Sequence, residues 1–171
     1  MDYASKIRVI EGFPREGISF KDISPLLADK AAFASAVQAM AAEAKRWGAD
    51  LVIGPESRGF VLGAPVAYAS DAGFVMARKK GKLPGEVLAA DYSLEYGESR
   101  IELPKFAIAK GAKVVLVDDL LATGGTLEAL IKLCREAGAE VVGVIVLIEL
   151  TDLKGAGKID APFRSLLRFP H

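Results

Sequence analysis

Asp118 and Asp119 stand side by side at the end of an apolar run, and a small, hydroxyl- and glycine-rich stretch follows them: "VVLVDDLLATGGT", 114–126. Adjacent carboxylates can accept hydrogen bonds from hydroxyl groups, or share a divalent cation with them. A turn of Ala122, Thr123, Gly124, Gly125 and Thr126 just ahead of a helix gathers backbone N–H groups and threonine hydroxyls at the positive end of the helix dipole. Such a turn suits an anion. Carboxylates repel phosphate, so the acids and the turn must meet different parts of one ligand, and a sugar phosphate has both parts. A Walker loop would end in Gly-Lys-Ser/Thr, and a dinucleotide fingerprint would place three spaced glycines directly after the strand; the segment has neither.

The elements that must position these groups are legible in the hydrophobic pattern. Val114 to Val117 is apolar without interruption, the habit of a strand covered on both faces, so the strand should end near Asp118 and Asp119 and deliver them to the carboxyl edge of a sheet. Phe33, Val37, Met40, Ala41 and Ala44 recur at helical spacing over 30–47, with Gly48 as the stop. "ADLVIG" then reads as a short buried strand, "GFVLGAPVAYAS" as a helix with an internal proline and "GFVMAR" as the next strand. A second cycle follows: "KVVLVDD" as strand, 126–137 as helix stopped by Gly138, and "EVVGVIVLIEL" as a long central strand. Strands alternating with helices predict an α/β fold with a mostly parallel, twisted sheet flanked by helices. Residues 79–105 differ, being polar and alternating, and predict an extended hairpin with a mobile loop at about 92–104.

Composition narrows the classes. The 171 residues suit one domain, 1–171. With 22 basic and 22 acidic residues the formal charge is zero, which removes any global attraction to nucleic acid or to a membrane surface. No apolar run approaches the ~18 residues of a membrane span. The amino terminus lacks the pattern of a secretory signal, so a cytoplasmic location is expected. Cys134 and His171 are the only residues of their kinds, which excludes an internal disulfide, a clustered zinc site and histidine-activated nucleophiles. Cys134 falls on the apolar stripe of its helix with Leu127, Leu130 and Ile131 and reads as core.

The 114–126 segment resembles the phosphoribosyl pyrophosphate (PRPP) motif of type I phosphoribosyltransferases, whose Rossmann-like fold the pattern above fits. The resemblance implies that Asp118 and Asp119 meet the ribose hydroxyls while the turn holds the 5-phosphate. "FPREGISFKDISPLL" (13–27), "ESRGF" (56–60), "RKKGKLPGEV" (78–87) and "DYSLEYG" (91–97) resemble, in order, the stretches of the adenine-using branch of that family. The implied reaction is adenine plus PRPP to AMP and pyrophosphate, with Mg2+ carried by the substrate and no metal ligand set of the protein's own. The implied roles are Glu56, Ser57, Arg58, Arg78, Lys79 and Lys82 toward pyrophosphate, with Arg58 also aiding departure of the charge. Ser19, Phe20, Lys21 and Leu150 would surround adenine from a small hood at 1–30, where the family commonly has arginine in place of Lys21. Glu95 would be the acid/base near N7 of the purine, and Tyr96 would help close the loop. A homodimer is also implied. Two other readings remain open: transfer to guanine, hypoxanthine or xanthine, and a non-catalytic PRPP-sensing regulator, which the absence of a helix-turn-helix pattern in the first thirty residues disfavours.

Overall fold

The computed structural model describes residues 1–94 and 97–171. Strands β1 (Arg8–Glu11) and β2 (Ser19–Asp22) pair antiparallel in a small sheet of their own, with Ile10 opposite Phe20. They form the hood. A short helix that the pattern did not announce, α1 (Ser24–Ala28), follows, then α2 (Lys30–Arg46). Asp29 starts α2 by accepting the amide N–H groups of Ala31 and Ala32, each at 3.0 Å, a cap worth about 1 kcal/mol. The buried face of α2 is Ala32, Ala36, Val37, Met40, Ala41 and Ala44, and Phe33 is half-buried at its margin.

The main sheet contains β3 (Leu51–Pro55), β4 (Gly73–Lys79), β5 (Val87–Leu94), β6 (Gly97–Pro104), β7 (Lys113–Leu121), β8 (Glu140–Leu150) and β9 (Phe163–Phe169), in the order β5-β6-β4-β3-β7-β8-β9. From β4 through β9 neighbouring strands are parallel, and β6 runs antiparallel to both β4 and β5. The expected parallel α/β sheet is present. The strand 140–150 has its expected bounds but is not central: it lies second from one edge, and β9, absent from the sequence-based reading, covers its far side. Its unbroken apolar character comes from helices on both faces plus β9.

Two cores explain the patterns. Helices α2 and α3 (Arg58–Ala69) pack on one face against Val115, Val117, Ile145 and Leu147; α4 (Gly125–Glu136) packs on the other against Val114, Leu116, Val144 and Val146. Alternate residues of β7 thus enter opposite cores. Cys134 is fully buried, and burial pushes its thiol up to about 12, in keeping with a packing role.

Chain direction across the sheet sets the site. From β3 the chain proceeds through α3 to β4, outward to one side; from β7 it proceeds through α4 to β8, outward to the other, with the two helices on opposite faces. The order therefore reverses between β3 and β7, and a crevice opens beyond their carboxyl ends. The β3–β7 pairing stops at Ile53↔Leu116, just before the acids. Strand β7 itself runs two residues past Asp119, because Leu120 and Leu121 still pair with Ile148 and Glu149 of the long β8. The acids consequently sit inside the strand's last turn of pairing and not at its end.

Candidate active site

At this reversal a cavity of about 340 Å³ is lined by Glu56, Ser57, Arg58, Lys79, Asp118 and Asp119, together with Leu120 and Thr126. Asp119 is only 5% exposed, and its Oδ2 accepts Arg58 Nε at 2.5 Å. Its own amide donates to Asp118 Oδ1 at 2.8 Å. Burial, reinforced by the neighbouring Asp119 carboxylate, pushes the Asp118 carboxyl well above its ordinary value, and the more distant Arg58 charge only partly offsets this. Gly59 permits the geometry: a Cβ there would lie 2.6 Å from Pro55 Cδ and 3.1 Å from Asp118 Oδ1, so a larger residue would lift α3, and Arg58 with it, off the acids.

A second cavity of about 210 Å³ continues from the first, sharing Asp118, Leu120 and Thr126, and is otherwise built by 121–125 and Leu127. Gly124 begins α4 with φ +84° and no side-chain cap, so the amides of the first turn keep their donors for a ligand. A Cβ on Gly124 would stand 2.8 Å from the Gly155 carbonyl oxygen, the contact that braces the turn from behind. Acids and turn therefore open into one continuous space, as a sugar phosphate demands.

The peptide between Glu56 and Ser57 is cis. The Glu56 carboxylate ties down the basic segment 78–82. It accepts the Lys79 amide at 2.7 Å, Lys82 Nζ at 3.2 Å and Arg78 Nε at 3.4 Å. Burial alone would raise its pKa, but the Lys79 amide, Lys82 and Arg78 together hold it below the usual carboxylate range. Of the basic segment Lys79 lines the cavity, while Arg78 and Lys82, expected at pyrophosphate, are ion-paired to Glu56 and are not among its lining residues.

A third cavity, about 460 Å³ and mostly apolar, lies under the hood and is lined by Ile10, Phe13, Phe20, Lys21, Arg58 and Val61 among others. Phe13 meets Phe20 edge to face at 5.1 Å, and the Arg58 guanidinium lies 5.5 Å from the Phe20 ring centre. Arg58 thus borders both the acid cavity and the aromatic one. Phe20 and Lys21 occur where the sequence placed them, but Ser19 and Leu150 do not line this space. Ser19 Oγ donates to Glu11 and accepts from Lys21 Nζ, while Leu150 is buried in the core beside Phe169. Glu95 and Tyr96 lie outside the described residues. Sequence reasoning missed Phe13, Val61 and Leu120; an aromatic before a proline, and a leucine following two acids, were the available signals.

A family model described as the phosphoribosyl transferase domain matches residues 25–169. The chain is 56% identical over 159 residues to an adenine phosphoribosyltransferase of Clostridium novyi (strain NT), a match covering 93% of this chain and 92% of the relative. Among solved structures, adenine phosphoribosyltransferase from Thermoanaerobacter pseudethanolicus is similar with a TM-score of 0.94 and 46% identity over 98% of both chains. The enzyme of Giardia lamblia, complexed with 9-deazaadenine, gives a TM-score of 0.91 at 40% identity, covering 99% of this chain and 97% of that one.

Proposed function

The chain belongs to the phosphoribosyltransferase family, and from that premise we propose that it transfers the phosphoribosyl group of PRPP to adenine, releasing AMP and pyrophosphate. The observation that carries this reading is the continuity of three spaces at one sheet edge: an uncapped α4 amino terminus, a carboxylate pair, and an aromatic pocket joined to them through Arg58. Their order matches a nucleoside monophosphate laid out as phosphate, ribose and base.

In the proposed mechanism the turn 122–126 grips the 5-phosphate and Asp118 and Asp119 fix the ribose hydroxyls. The bond from ribose C1 to the pyrophosphate oxygen breaks with its electron pair leaving on pyrophosphate, and adenine N9 forms the new bond from the opposite face. Arg58 and Lys79 favour the departing charge, and Glu95 takes up the purine proton. Phe20 stacks on the base. Within the expected loop 92–104, the polar part ahead of the buried Ile101 closes over the crevice to exclude water. Among the described residues the β5/β6 hairpin joins the rest of the sheet at Arg78↔Glu102 and Lys79↔Ile101, and Ile101 and Leu103 are buried in the core, which would hold the base of the hairpin in place.

Magnesium fits as a rider on the substrate. Asp118 and Asp119, side by side in the cavity, could share a cation with substrate oxygens. When bound it neutralises charge on the pyrophosphate. Among the described residues no helix is long and apolar enough to cross a membrane, and we read the protein as a cytoplasmic homodimer, which sedimentation at micromolar concentration checks. The deciding test of the activity is a spectrophotometric assay with PRPP and magnesium, offering adenine, guanine, hypoxanthine and xanthine in turn. AMP formation is expected with adenine at a kcat/KM far above the others; no turnover of adenine overturns the reading.

A further inference from the structure

Glu102 is 6% exposed, yet it lines none of the three cavities, although Ser99 and Ile101 of the same strand line the first. A carboxylate so far removed from water must be matched by donors. Its Oε2 accepts the Gly81 amide N–H at 3.2 Å, and its Oε1 faces Arg100 Nε at 3.5 Å. Gly81 belongs to the tight turn 79–82, closed by the Lys82 amide on the Lys79 carbonyl at 3.3 Å, with φ +79° at the glycine. This is the turn that presents Lys79 to the cavity. Two carboxylates therefore clamp it from different elements: Glu56, from the loop after β3, takes the Lys79 amide and Lys82, while Glu102, from β6, takes the Gly81 amide. In register Glu102 also sits opposite Arg78, at one of the two pairs that join the hairpin to β4.

We propose that Glu102 is a positioning residue for pyrophosphate binding: it pins the basic turn to the β5/β6 hairpin, so that Lys79 is aimed at the leaving group only when the hairpin is seated. The proposal rests on the activity assigned above. It does not require Glu102 to touch substrate, and it concerns the PRPP side of the site alone, since the aromatic cavity shares no residue with this turn.

The test is steady-state kinetics with each substrate varied in turn, beside thermal unfolding, for wild type, Glu102→Ala, Glu102→Asp and Glu102→Gln. Withdrawing the acceptor in Glu102→Ala is expected to raise KM for PRPP about five- to tenfold while KM for adenine stays within about twofold. Glu102→Asp keeps the buried charge opposite Arg100 but draws its oxygen back from Gly81, so it gives the same split in a folded protein even if the alanine variant fails to fold. Glu102→Gln retains an acceptor oxygen and restores most of the PRPP affinity. If Glu102→Asp leaves both KM values unchanged, or raises both alike in step with a fall in Tm, Glu102 is merely structural and the proposal is overturned. Should wild type itself form no AMP, the assigned activity falls first.

Discussion

Asp119 has two partners that it cannot serve fully at once. In the free protein its carboxylate holds Arg58 at 2.5 Å in a nearly dehydrated setting, and in the proposed complex it holds ribose hydroxyls. Substrate binding must therefore draw Arg58 toward the pyrophosphate, which supplies the replacement anion. Asp119→Asn keeps the shape but removes the charge, and a charge-assisted hydrogen bond is worth ~1.5–3 kcal/mol, so kcat/KM should fall about tenfold or more with the circular dichroism spectrum unchanged. Wild-type kinetics in that variant would take Asp119 out of the site. The acids and the 122–126 turn were legible because their residue types admit few uses in that order. Glu56 was less so: it reads as one more residue of a pyrophosphate loop, and its cations, Arg78 and Lys82, are 22 and 26 positions away, a separation no local pattern bridges. Leu150 illustrates the converse, since an apolar residue at a strand end carries no mark of whether it faces a ligand or a core.

At the scale of elements, the phosphate turn depends on one backbone conformation. Gly124 has φ +84°, and a Cβ would meet the Gly155 carbonyl oxygen at 2.8 Å. Gly124→Ala should therefore cost about 1–3 kcal/mol of stability and swing the α4 amides off the phosphate, raising KM for PRPP more than KM for adenine. Gly157→Ala is the control, because nothing lies within 4 Å of its added methyl and its φ is not positive. Urea unfolding and substrate-resolved kinetics check both; equal effects would show that the turn tolerates distortion. Helices α2, α3 and α4 and the buried strands β3, β7 and β8 were readable because each keeps one periodicity over its whole length, whereas the five residues of α1 are too few to show one. Strand β9 was not, since "FRSLLRF" puts an arginine at its second and sixth positions and lies half-buried at the sheet edge. Strand β6 reads as loop because its first half is polar and open to water while only Ile101 to Leu103 is buried, a change of environment that pairing with β4 and β5 creates.

Across the whole molecule the formal charge at neutral pH is zero, so the pH dependence of stability is set by individual carboxyls more than by net repulsion. Two of them pull in opposite directions from the same ordinary value of 3.8. Hydrogen bonds from Ser24, with Arg8 adding to them, hold Asp22 down to about 2; its contribution is present above 3.8 and is lost as pH falls through about 2. Asp118 is raised, so the folded protein binds a proton that the unfolded chain releases; its contribution is complete below 3.8 and is lost as pH rises through the folded value. The two carboxyls crowd each other in the free protein, so ionising Asp118 there costs stability. Asp118→Asn keeps an oxygen for the Asp119 amide and removes the repulsion. It should leave Tm close to the wild-type value below pH 3.8 and raise it relative to wild type as pH climbs above that, while activity falls. Calorimetry from pH 3 to 8 on wild type and variant decides it: a Tm difference that is constant with pH would mean that Asp118 is not the strained group, and the cause would have to be sought in packing.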